Sequence, residues 1–191
     1  MIPKILILGS TGKLGKKLLR FCNTSNINIF GIACYKNVNL LNSQSRRYSI
    51  RNSFKLSDKD EVKKFITFLK KNKIDLIFFL DYGYKSLIYA DIFLNNNQNS
   101  QLAIANKEMI IAGGRTLIDK ISKTNNKLIP LDSEHFSLIN LINKKNNIKK
   151  IYITASGGPF YFKKNINLNN VDLKKALKHP KWKMGKNNSI D

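Results

Sequence analysis

"KILILGSTGKLGKKLLRFC", residues 4–22, sets an apolar run of strand length against a glycine turn, then a run with Leu14, Leu18 and Phe21 at helical spacing. Strand, turn and helix form the context in which Gly9, Gly12 and Gly15, spaced G-x-x-G-x-x-G, acquire a chemical meaning. Gly9 permits the tight turn, Gly12 lets backbone N–H groups approach a pyrophosphate, and Gly15 lets helix pack on strand. A plain glycine turn in a Rossmann-like domain without nucleotide is the competing reading of the same spacing.

Outward from that turn the pattern repeats. "INIFGIACY" (27–35) reads as a buried parallel strand, followed by a polar connection. "SDKDEVKKFITFLKKN" (57–72) reads as a helix capped by Ser57, with Val62, Phe65, Ile66 and Leu69 on one face. "KIDLIFFLD" (73–81) is a strand, "KSLIYADIFLNN" (85–96) a helix, and "SQLAIANKE" (100–108) a strand running into a loop. "GGRTLIDKISKT" (113–124) is a helix, "NKLIPLD" (126–132) a strand, "SEHFSLINLINKKN" (133–146) a helix and "IKKIYITASGG" (148–158) a last strand. This alternation predicts an α/β fold built on a doubly wound parallel sheet.

The chain has 191 residues, with 34 Lys and Arg against 12 Asp and Glu, a net charge of +22. Such an excess points toward anionic partners. The lysines are scattered, however, and no stretch interleaves basic and aromatic residues as a strand-based RNA platform does. Phosphate-bearing small ligands therefore rank ahead of nucleic acid. Cys22 and Cys34 fit neither a disulfide framework nor a zinc pattern. No signal peptide is evident and "IDLIFFL" is too short to span a bilayer, so a soluble, cytoplasmic protein with no membrane partner is expected.

Four further stretches carry candidate chemistry. The second strand ends in "ACYKN", offering Lys36 where a carboxylate would repel a 2′-phosphate; a solvated lysine explains it equally well. "ANKE" (105–108) lies at a strand end, where such sheets place ligands, although Lys107 and Glu108 also suit a surface ion pair. In "PLDSEH" (130–135), Asp132 or Ser133 could cap a helix, or Asp132 and Glu134 could offer oxygen ligands to Mg²⁺ or Mn²⁺. "TASGGPF" (154–160) places Ser156 and a Gly-Gly pair at a strand end, and "ALKHPKWKMGK" (176–186) sets His179, Trp182 and Met184 in a Pro- and Gly-containing stretch with the character of a lid.

In this order, "GSTGKLG", "YKN", "ANKE", "PLDSEH", "TASGGPF" and "KHPKWKMGK…SID" are similar to the motifs of the 1-deoxy-D-xylulose 5-phosphate reductoisomerase family. The resemblance implies an NADP-dependent oxidoreductase and isomerase of the non-mevalonate route of isoprene biosynthesis. It would use NADPH and Mg²⁺ or Mn²⁺ to convert a small phosphorylated sugar, 1-deoxy-D-xylulose 5-phosphate, to 2-C-methyl-D-erythritol 4-phosphate. The resemblance places Gly9, Ser10, Thr11, Gly12, Lys13, Leu14, Lys36, Asn37, Asn106 and Glu108 at the cofactor. Lys107 would be catalytic and touch substrate, and Asp132 and Glu134 would hold the metal. Ser133, Glu134, Ser156, His179 and Trp182 would contact substrate, with Met184 beside Trp182 in the lid. The family usually has Ser-Ile where this chain has Lys13-Leu14.

The resemblance also divides the chain into an NADPH-binding Rossmann-like domain, 1–125, and the N-terminal part of an incomplete α+β catalytic domain with its lid loop, 126–191. In the family, "SID" is followed by Ser-Ala-Thr and an Asn-Lys-Gly-x-Glu segment that completes the phosphate pocket and the metal shell. Ending at Asp191, the chain is expected to be a truncated member of impaired activity. The alternatives are a non-catalytic NADPH-binding remnant or one half of a split enzyme, with a homodimer or a complementing polypeptide as partner.

Overall fold

Six four-residue strands set the frame of the computed structural model, which describes residues 2–142, 147–153, 158–161 and 165–178. They are β1 (Ile5–Leu8), β2 (Gly31–Cys34), β3 (Asn52–Lys55), β4 (Leu76–Phe79), β5 (Gln101–Ile104) and β6 (Lys127–Pro130). All pair in parallel, in the order β3-β2-β1-β4-β5-β6. The chain moves outward from β1 to one edge, then returns to β4 on its other side. The order thus reverses between β1 and β4, and a crevice opens at the carboxyl ends of these two strands.

The inner strands β1, β2 and β4 are apolar on both faces because helices cover both. Against one face pack Phe65 and Leu69 of α3 (Lys59–Lys71), Phe93 and Leu94 of α4 (Leu87–Asn96), and Leu117 and Ile121 of α5 (Lys107–Lys123). Against the other pack Leu19 of α1 (Lys13–Thr24) and Leu41 of α2 (Val38–Arg47). The doubly wound α/β sheet expected from the alternation is thereby present.

Several expectations need correction. Residues 37–56, read as a polar connection, hold α2 and the edge strand β3. Helix α2 is Asn- and Ser-rich and buries only Leu41 and Gln44, too few apolar positions to register as a face. In α1 the buried positions are Gly15, Leu19 and Cys22, not the Leu14, Leu18 and Phe21 stripe. Leu14 and Phe21 are exposed and, with Leu18, line a shallow groove with Phe78, Leu80 and Leu131. Asp58, not Ser57, caps α3 by accepting from the N–H groups of Asp60 and Glu61. Lys107 and Glu108 belong to the first turn of α5, which kinks at Gly114, and not to a loop.

The chain forms two compact units, Met1–Lys144 and Lys145–Asp191. The first contains the sheet together with α6 (Ser133–Leu141). In the second, residues 147–153 form no strand, against the first part of the strand expected over 148–158, whose residues 154–157 lie outside the described residues; Ile151, Tyr152 and Ile153 are exposed. The described residues of this unit contain a 3-10 turn, Leu168–Asn170, and a short α-helix, α7 (Leu173–Ala176), capped by Asp172. No helix among the described residues is long and apolar enough to cross a membrane.

Candidate active site

Construction begins at the turn after β1. Gly9 has a φ of +80°, which side chains disfavour, and a Cβ there would fall 2.6 Å from the Asp81 nitrogen. A Cβ on Gly15 would fall 2.4 Å from the Gly9 oxygen, so both glycines are needed for closeness. The N–H groups of Gly9 and Ser10 donate to the Ala33 carbonyl at 2.9 and 3.1 Å, pinning the turn to the end of β2. Gly12 then leads into α1 with no side-chain cap and no acidic residue in the first turn. The start of that helix, with Lys13 and Leu14, therefore presents backbone N–H groups suited to an anion.

A buried pair fixes this turn from the far side. The Ser10 hydroxyl donates to Gln44 Oε1 at 2.9 Å, and Gln44 Nε2 returns a bond to the Ser10 carbonyl at 2.9 Å. Both residues are almost completely buried. Thr11 lies against the Cys34 thiol, whose pKa burial pushes up. Gln44 thus joins the glycine turn to α2, the helix that carries the next candidate residues at its start.

There, Asn37 caps α2 by accepting from the Leu40 N–H at 3.2 Å. Lys36 is exposed, its Nζ 5.9 Å from the Tyr35 ring centroid, and Lys85 approaches the same ring at 5.6 Å. Two ammonium groups around one tyrosine make the end of β2 cationic. Lys85 was not singled out from sequence, since it follows β4 and joins Lys36 only through the fold.

The "ANKE" and "PLDSEH" motifs meet. Asn106 caps α5 by accepting from the Met109 N–H at 3.0 Å and donates to the Gly83 carbonyl at 2.9 Å. That places Lys107 on the first turn of α5, where its Nζ lies 3.2 Å from Glu134 Oε1 on α6. The Ser133 hydroxyl donates to Glu134 Oε2 at 2.9 Å. The Ser133 hydroxyl, the helix start and Lys107 together hold the Glu134 carboxyl below its usual pKa. Asp132 does act as the helix cap, accepting from the His135 N–H at 3.0 Å, and its carboxylate also meets His135 Nδ1 at 2.8 Å.

Asp81, two positions beyond β4 and against Gly9, is a further residue outside the sequence motifs. Its Oδ2 accepts from the Ser86 hydroxyl, while Oδ1 is buried without a hydrogen-bond partner. Burial pushes its pKa up, and neighbouring Glu108 adds to the rise. The available signal was a carboxylate ending the apolar run "KIDLIFFLD".

Ser156, His179 and Trp182, with Met184, lie outside the described residues. Among the described residues, no three or more His, Cys, Asp or Glu side chains cluster as metal ligands.

A reversing parallel sheet, a glycine turn at its crevice and charged helix starts beside it define a doubly wound α/β protein. Residues 5–90 match the family model for 1-deoxy-D-xylulose 5-phosphate reductoisomerase, and residues 128–191 match the model for its C-terminal domain. The chain belongs to the 1-deoxy-D-xylulose 5-phosphate reductoisomerase family. It is 33% identical over 210 residues to the reductoisomerase of Thermoanaerobacter pseudethanolicus, covering 100% of this chain and 54% of that protein. It is 38% identical over 215 residues to that of Pelagibacter ubique, again covering 100% of this chain and 54% of the relative. The chain thus spans about half the length of the curated relatives it matches.

Among solved structures, the Zymomonas mobilis reductoisomerase in complex with NADPH is similar at a TM-score of 0.77 and 22% identity, covering 94% of this chain and 52% of that one. A reductoisomerase in complex with NADPH, fosmidomycin and magnesium is similar at a TM-score of 0.79 and 23% identity, covering 99% of this chain and 54% of that one. At these identities the likeness is one of fold.

Proposed function

We propose that this chain carries the cofactor-binding part and the first substrate-binding residues of an NADPH- and divalent-metal-dependent reductoisomerase. The reaction is conversion of 1-deoxy-D-xylulose 5-phosphate to 2-C-methyl-D-erythritol 4-phosphate. The observation that carries this reading is the Lys107–Glu134 ion pair at 3.2 Å, which brings two motifs 27 positions apart to one point at the carboxyl edge of the sheet. The proposed functional division, 1–125 for NADPH and 126–191 for metal, substrate and lid, puts these two residues on either side of it. Two buried free cysteines suit a reducing cytoplasm.

In this reading the pyrophosphate rests on the N–H groups of the Gly9–Gly12 turn and the start of α1. Lys36, with Asn37 at the start of α2, receives the 2′-phosphate, helped by Lys85. Asn106 and Glu108 bear on the other half of the cofactor, which supplies hydride when bound. Asp132 and Glu134 offer the oxygen donors that a hard cation prefers; Glu134 already faces the Lys107 ammonium, and Asp132 meets the His135 ring. A divalent cation there would supply Lewis-acid polarisation of substrate oxygens. Lys107 holds a proton at Nζ beside Glu134 and is placed to move it to or from the substrate, while the Ser133 hydroxyl orients substrate.

The absence of a third ligand among the described residues favours a second reading, a non-catalytic NADPH-binding protein or the binding half of a two-part enzyme. Metal-dependent NADPH oxidation on addition of 1-deoxy-D-xylulose 5-phosphate separates the two. The enzyme reading expects turnover that Asp132→Ala abolishes. NADPH binding without turnover, in the chain alone, supports the second reading instead.

A further inference from the structure

Asp81 is a chemistry-bearing group that this assignment leaves unused. Strands β1 and β4 lie side by side in register, Leu8 opposite Phe79, so the residues just beyond them meet at the crevice. The backbone of Leu80 and Asp81 presses on Gly9 so closely that no Cβ fits between them. Asp81 therefore stands directly beside the phosphate-binding turn, on its β4 side.

The groups bearing on its carboxylate are Ser86, Asn106 and Glu108, none of them cationic. Ser86 satisfies Oδ2. The nearby Asn106 amide is engaged by Gly83, and Oδ1 is buried without a hydrogen bond, an arrangement that costs free energy unless a donor arrives. Charge thus divides the crevice. Lys36, Lys85 and the open start of α1 gather cationic and donor groups at the end of β2, whereas the carboxylates of Asp81 and Glu108 lie near each other beyond β4 and β5. Beyond Asp81 the turn passes through Gly83, whose φ of +84° suits glycine and whose carbonyl is held by Asn106.

We infer that Asp81 is a specificity-determining residue of the nucleotide site, its Oδ1 accepting a hydrogen bond from a neutral donor on the nicotinamide-ribose half of the dinucleotide. A ribose hydroxyl and the carboxamide N–H₂ share that chemistry. This inference rests on the NADPH reading given above and deepens it.

The test uses the full chain and two probes, NADPH and adenosine 2′,5′-bisphosphate, which occupies only the Lys36 side. Asp81→Ala weakens NADPH roughly tenfold or more, as loss of a hydrogen bond to a charged acceptor does. It leaves the bisphosphate unchanged, and Asp81→Asn, which keeps an oxygen, recovers part of the loss. With the 3-acetylpyridine analogue of NADP⁺, a persisting loss assigns the donor to a hydroxyl and a vanished one to the carboxamide; both support the inference. Equal NADPH affinity in wild type and Asp81→Ala overturns it, as does an equal loss for both probes, which would reveal a merely structural role. Failure of the wild-type chain to bind either probe overturns the NADPH reading itself, and the inference with it.

Discussion

Asp81 and Glu134 show how two carboxylates in one fold come to titrate in opposite directions. Burial raises Asp81 above its ordinary 3.8, so ionisation favours the unfolded chain. Its cost to stability is absent below the ordinary carboxylate range, grows as pH rises through the raised value, and is constant beyond it. Asp81→Asn removes that cost. Its melting temperature should exceed wild type at neutral pH and converge with it in acid, as thermal unfolding across pH would show; a gap that widens in acid would contradict the burial argument. Glu134 behaves oppositely, its lowered pKa keeping the Lys107 pair intact as pH falls until the carboxyl protonates below its ordinary 4.5. Gly15 makes the steric counterpart. Gly15→Ala sets a Cβ 2.4 Å from the Gly9 carbonyl and should destabilise by about 1–3 kcal/mol, measured by denaturant unfolding.

Among elements, the sheet is tied at its amino end by a buried asparagine network. Asn97 accepts from the Ile74 N–H at 2.7 Å, Asn126 accepts from the Ser100 N–H at 2.7 Å, and Asn126 donates to the Asn97 carbonyl at 2.9 Å. Asn126→Ala strands the Ser100 N–H beneath β5 and β6, and about 1–3 kcal/mol of stability should be lost by the same unfolding measurement. Loss indistinguishable from that of an exposed asparagine would show that water replaces the bond. This network also marks where sequence was legible. Strands β1, β4 and β5 stood out because both their faces are buried, leaving continuous apolar runs. Edge strand β3, "NSFK", buries only Phe54 and reads as loop, and polar α2 gains its place from one leucine and the Gln44–Ser10 pair. At the candidate site, the motif resemblance named Lys107, Asp132 and Glu134, whereas the pairing of Lys36 with Lys85 and the orphaned Oδ1 of Asp81 arise only when separate strands meet.

At the scale of the whole molecule, the charge of +22 acquires a local meaning. Most lysines are spread over the surface, and the ammonium groups that matter in this account are those around Tyr35, beside the open start of α1. The chain spans about half of its curated relatives, and its described residues hold a six-stranded sheet with the glycine turn, so cofactor binding should be separable from turnover. The most direct test is titration of the full chain with NADPH and NADH, in wild type and Lys36→Glu. NADPH should bind saturably and roughly tenfold or more tighter than NADH, because only NADPH carries the 2′-phosphate, with that preference lost in the variant. Equal affinity for the two cofactors, unchanged by Lys36→Glu, or no saturable binding of either, would contradict it.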